Sequence, residues 1–104
     1  NLSEIEPENF LPESYVLHQN YPNPFNPSTR IDYDLPQDGF VKISVLDIIG
    51  RKVSTILDIE QAAGLKSITW GGTNDQGKML PSGVYICLLR TNDHVSTRKM
   101  ILLR

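Results

Sequence analysis

The residues of this sequence with chemistry beyond packing are few: His18, His94, Ser82, Cys87, and the polar loop Asn74-Asp75-Gln76-Gly77. A general base needs a partner within hydrogen-bond reach, and most of the chain separates the two histidines. His18 falls in a strand pattern and His94 beside a turn, so both read as surface or structural groups. Ser82 precedes Gly83 but lacks the G-x-S-x-G elbow of a hydrolase nucleophile. Cys87 alternates with Tyr85 and Leu89, the setting of a small buried hydrophobe. The Asn74–Gly77 loop offers oxygen atoms, but not the alternating acids and terminal glutamate of a helix–loop–helix calcium site. Gly71–Gly77 matches no P-loop or dinucleotide fingerprint and opens no helix. Trp70 and Tyr33 are the aromatic rings that could stack on a sugar, yet both occupy the apolar phase of their strands, which favours the core. The expectation is a domain with no catalytic residues, no cofactor and no metal.

The elements that hold these residues are strands. At 104 residues, 39% hydrophobic and 21% charged, the chain is long enough for one globular domain. A net charge of −2 gives no footprint for nucleic acid, and the cations do not interleave with aromatics. No apolar run approaches a membrane-spanning helix, and no signal-peptide pattern opens the chain. One cysteine excludes an internal disulfide. The absence of an initial Met and the acidic, proline-containing lead-in read as the start of a fragment cut from a longer protein. Residues 1–14 are therefore expected to be a linker from an upstream domain, with Phe10 and Leu11 its best anchors, and 15–104 the folded domain.

After the lead-in the hydrophobic period is two. Strands are predicted at Tyr15–Gln19, at Arg30–Leu35, at Val41–Leu46 and from Arg51 to Leu57. Three more are predicted at Lys66–Trp70, at Val84–Arg90 and from Val95 to Leu103. Turns separate them at Pro36–Gly39, where Gly39 is available for positive φ, at Asp47–Gly50, Gln61–Gly64, Gly71–Gly77 and Thr91–His94. The apolar spacing of Val45–Leu57 also allows a helix, but Gly50 and the β-branched density oppose it. Seven short strands between turns predict an all-β, immunoglobulin-like antiparallel sandwich.

Two stretches stand apart. Asn20-Tyr21-Pro22-Asn23-Pro24-Phe25-Asn26-Pro27 places three prolines in eight residues, each fixing φ and removing a backbone donor. It reads as a stiff loop leading into the next strand, with Tyr21 and Phe25 as apolar anchors. At the other end, Arg98-Lys99 is followed by Met100-Ile101-Leu102-Leu103, apolar where chain ends are usually polar. Either this is an ordinary last strand or an exposed edge that another protein recognises.

The segment Leu17–Pro36, containing that proline-rich stretch, closely resembles the opening motif of type A C-terminal sorting domains, carried by cargo of the type IX secretion system of Bacteroidetes. Val45–Val53 around Gly50, the Trp70–Gly72–Gly77 region, Pro81-Ser82-Gly83-Val84-Tyr85 and Thr97–Arg104 resemble later parts of the same family. Immunoglobulin-like modules of flagellar hook-capping proteins are similar in the tryptophan–glycine part only. Gly71 and Cys87 depart from the usual residues at their positions. The resemblance implies a non-catalytic address ending at the protein's C-terminus. It implies delivery through the periplasm to the cell surface or medium, recognition by outer-membrane secretion machinery, removal by its processing peptidase, and in many cargoes attachment to surface lipopolysaccharide. Lys99, Met100, Ile101, Leu102, Leu103 and Arg104 are the residues expected to meet the machinery. The competing expectations are a passive immunoglobulin-like spacer and a carbohydrate-binding module of a secreted enzyme.

Overall fold

The computed structural model describes residues 11–104, so the expected linker up to residue 10, with its anchor Phe10, lies outside the described residues. Seven strands form: β1 (Val16–Leu17), β2 (Thr29–Leu35), β3 (Gly39–Leu46), β4 (Lys52–Gln61), β5 (Gly64–Trp70), β6 (Gly83–Arg90) and β7 (Val95–Leu102). They pair antiparallel in two sheets, β1-β2-β5 and β4-β3-β6-β7. The chain is an immunoglobulin-like β-sandwich without helices among the described residues.

Alternation explains the core. In β2, Ile31, Tyr33 and Leu35 point inward while Arg30 stays exposed. They meet Val41, Ile43 and Val45 of β3 and Tyr85, Cys87 and Leu89 of β6 across the interior. β4 continues to Gln61, four residues past the predicted Leu57, because its far end still pairs with Gly39–Lys42. Conversely, the predicted Tyr15–Gln19 strand shrinks to two residues, since β1 pairs only with Asp34 and Tyr33 before the proline-rich segment turns away. Gly39 pairs in the ladder with Gln61 and does not use positive φ.

The two polar loops share one design. Asp47-Ile48-Ile49-Gly50-Arg51 and Asn74-Asp75-Gln76-Gly77-Lys78 each begin with a side-chain oxygen that accepts two backbone N–H groups, from Ile49 and Arg51 and from Gln76 and Lys78. In each the fourth residue donates its N–H to the first carbonyl, Gly50 at φ 88° and Gly77 at φ 80°. The oxygen of Asn74 that suggested a cation ligand is thus occupied by the loop's own amides.

Candidate functional site

β7 is an edge strand, and the outward-facing backbone groups of such a strand invite pairing with another chain. Here the proline-rich segment occupies much of that edge. Phe25 forms a parallel bridge with Leu102: its N–H donates to Ile101 O at 2.9 Å, and its carbonyl accepts from Leu103 N–H at 3.0 Å. The Asn23 side-chain oxygen accepts the Ile101 N–H at 2.9 Å, and Gln19 donates to Lys99 O at 2.7 Å. One step further along, Arg98 Nε donates to Leu17 O, tying β7 to β1 of the opposite sheet.

The loop keeps its shape through Asn20, which is 3% exposed. Its amide donates to Pro22 O and to Thr29 Oγ, the Thr29 hydroxyl donates to Pro22 O, and its oxygen accepts from Gln19. Every polar atom of a buried Asn needs a partner, and this network supplies them. Phe25, 1% exposed, is the apolar anchor; its ring packs on Trp70 at 5.7 Å, and Trp70 meets Tyr85 edge-on at 6.0 Å. Tyr21, the other expected anchor, is 73% exposed: its backbone bridges Arg30, and that pairing turns its side chain outward. Pro22, Pro24, Asn26 and Pro27 lie at the surface.

Trp70, Gly72, Ser82, Gly83 and Tyr85, apart in sequence, meet around the end of β7, whereas Gly50 and Gly77 serve their own turns. Gly72, at φ 72°, is hemmed in: a Cβ there would lie 3.0 Å from Arg104 Nη2, 3.2 Å from Pro27 O and 3.3 Å from Leu102 Cδ2. Arg104 clamps this corner, donating through Nη2 to Gly72 O and through Nε to Leu80 O, while its N–H donates to Ser82 Oγ. Trp70 Nε1 donates to Thr73 O and Tyr85 OH to Pro81 O, satisfying the polar ends of two buried rings. Gly83 opens β6 opposite Leu102.

Of the six residues expected to meet a partner, Met100 and Leu102 are fully buried, Ile101 is half-buried, and Lys99, Leu103 and Arg104 are exposed. The six therefore do not form one surface. Sequence reading assigned no role to Gln19 or Arg98, and it singled out Asn23 without foreseeing its bond to β7; the partners of all three lie about eighty positions away and leave no periodic signal.

The chemistry candidates fall elsewhere. His18 lies just past β1 and pairs with Asp34 at 2.9 Å beside a hollow of about 490 Å³ on the outer face of the three-stranded sheet. Ser67 lines the same hollow without a hydrogen bond to His18. His94 stacks on Tyr15 and bonds Ser96 Oγ. Burial pushes the Cys87 thiol up to about 12, so it is protonated at neutral pH. Trp70 and Tyr33, 3% and 1% exposed, are core.

A sequence profile of the FlgD Ig-like domain matches residues 26–90. The chain belongs to the FlgD Ig-like domain family. The match starts inside the proline-rich segment and stops before β7. Among solved structures, FlgD from P. aeruginosa is 26% identical with a TM-score of 0.57, over 71% of this chain and 58% of that one. Latent dimeric PorU from Porphyromonas gingivalis is 21% identical with a TM-score of 0.65, over 90% of this chain. PorZ of the same organism, described as an essential surface component of the type-IX secretion system, is 17% identical with a TM-score of 0.57, over 85% of this chain. The chain spans only 10% of PorU and 11% of PorZ, so these likenesses show a shared domain fold. No curated protein matches the sequence.

Proposed function

We propose that this domain is a non-catalytic sorting signal that delivers an attached cargo across the outer membrane through the type IX secretion system, to the cell surface or medium. The observation that carries the reading is the interlock of Gln19–Phe25 with β7. Those two segments lie outside the FlgD-type match, and both are among the stretches that resemble the sorting family. The fold shared with PorU and with PorZ supports it. Recognition then falls to a preformed β-domain whose exposed terminal side chains are Lys99, Leu103 and Arg104. The outer-membrane machinery and its processing peptidase are the proposed partners, with the cargo domain upstream in the same chain.

The decisive test fuses the full chain to a periplasmic reporter in a host with this secretion system. Deleting residues 99–104 would remove Met100 and Leu102 from the core and confuse unfolding with lost recognition. Lys99→Glu with Leu103→Ser changes exposed side chains only. Surface delivery should fall at least fivefold with an unchanged melting temperature. Delivery that survives removal of the whole domain would leave it a passive spacer.

A further inference from the structure

Strand β6 is apolar on both faces. Tyr85, Cys87 and Leu89 fill the core, while Val84, Ile86 and Leu88 lie on the outer face of the four-stranded sheet, exposed or half-buried. The ladder fixes their neighbours on that face. Ile86 lies between Leu46 of β3 and Lys99 of β7, Leu88 between Ser44 and Thr97, and Arg90 between Lys42 and Val95. The outer face is therefore an apolar strip with cations at both ends.

At one of these ends Lys42 and Arg90 stand directly opposite each other, an arrangement that repels. Neither makes an ion pair among the described residues, although Asp58 of β4 faces Lys42 across the ladder. The outer face of the other sheet is the reverse: it presents Asp32 and Asp34, already engaged by Arg30 and His18. A carboxylate set between Lys42 and Arg90 would turn their repulsion into attraction.

The chain itself carries such carboxylates. Residues 1–10 hold Glu4, Glu6 and Glu8 and no lysine or arginine, whereas residues 11–104, with ten lysines and arginines against nine acids, carry a net charge of +1. The acidity of this protein thus resides in its lead-in, and the folded part is its complement. The lead-in also joins the domain at the matching end. Tyr15 stacks on His94 at 5.0 Å, in the turn between Arg90 and Val95. Glu8 stands seven residues before Tyr15, a reach of up to about 24 Å. Neighbouring strands lie about 4.8 Å apart, so Arg90 and Lys42 are both within range.

We infer that the acidic lead-in, residues 2–10, folds back over the outer face of the four-stranded sheet and sets its glutamates against Lys42 and Arg90. The contact holds the segment leading into the domain against its surface and so limits a protease's access to it. The inference does not depend on the sorting reading.

The test uses the full 104-residue chain with a nitroxide attached at Ser3→Cys; Cys87 is buried and stays unlabelled. The amides of Lys42, Leu88 and Arg90 should lose at least half their intensity at low salt and recover it at high salt, while those of Asp32 and Asp34 keep theirs. Lys42→Gln with Arg90→Gln should abolish the loss, with an unchanged melting temperature. Glu4→Gln with Glu6→Gln and Glu8→Gln should abolish it too, and changes nothing in residues 11–104. In the Lys42→Gln/Arg90→Gln variant a glutamate-specific protease should cut after Glu8 at least threefold faster than in the parent. Broadening equal on both outer faces, confined to the residues next to Leu11, or indifferent to both variants would overturn the inference. Broadening that appears between labelled and isotope-enriched chains when the two are mixed would assign the contact to a second copy, and overturn it equally.

Discussion

The four-stranded sheet has two edges, β4 and β7, and the chain protects them by different means. β4 relies on local devices. Its register with β3 shifts twice, between Ile43 and Ser44 and between Val45 and Leu46, and irregularities of this kind twist an edge away from flat pairing. Asp58 and Glu60 add exposed charge near its end, and one outward amide, Thr55 N–H, is taken by Asp75. β7 relies on a distant part of the chain: the proline-rich segment, with Gln19 just before it, brings a backbone bridge, two side-chain hydrogen bonds and a buried ring. The first kind of protection is spread over small independent terms. The second is concentrated, and one substitution should expose the edge.

The largest effect should come from Phe25→Ala. Removing a fully buried ring costs about 3–5 kcal/mol, enough to threaten the fold of a marginally stable domain. Denaturant unfolding measures the loss, and amide exchange at Ile101 and Leu103 should rise with it. Gly72→Ala is next, at about 1–3 kcal/mol, because the positive φ and the close approach of Pro27 O leave no room for a methyl group. The same unfolding curve tests it, and a variant as stable as the parent would show that the corner yields.

A direct contrast of the edges pairs Asn23→Ala with Asp75→Ala. Each removes one side-chain acceptor from an edge amide, at about 1 kcal/mol or less. Exchange should quicken at Ile101 in the first and at Thr55 in the second, with neither change reaching the other edge.

The smallest signal is the Cys87 thiol, which pairs across the ladder with Arg98 of β7 and so reports on that side of the sheet. It should resist a thiol reagent at pH 8 in the parent and in Asp75→Ala, and react faster in Phe25→Ala. Its pKa is raised in the folded state, so its contribution to stability is full below the unfolded thiol's value near ~8.5. That contribution declines as pH rises through about 12. A parent thiol that reacts readily at pH 8 would mean that β7 opens without help from any mutation.

Much of this was legible in the residues. The period of two placed the strands, turn residues marked Asp47–Gly50 and Gly71–Gly77, and apolar phase put Trp70 and Tyr33 in the core. These are local properties, set by side-chain alternation and by the dihedral needs of a few residues. The sequence also singled out the proline-rich segment and the last strand, without saying that one lies along the other. Tyr21 and Phe25 looked alike as anchors, and only the bridge from Tyr21 to Arg30 decided which ring turns outward. The Ile101–Asn23 and Gln19–Lys99 bonds span 78 and 80 positions. Contacts at such separation depend on how the two sheets are stacked, so the sequence determined the strands, and tertiary packing alone decided which edge is covered.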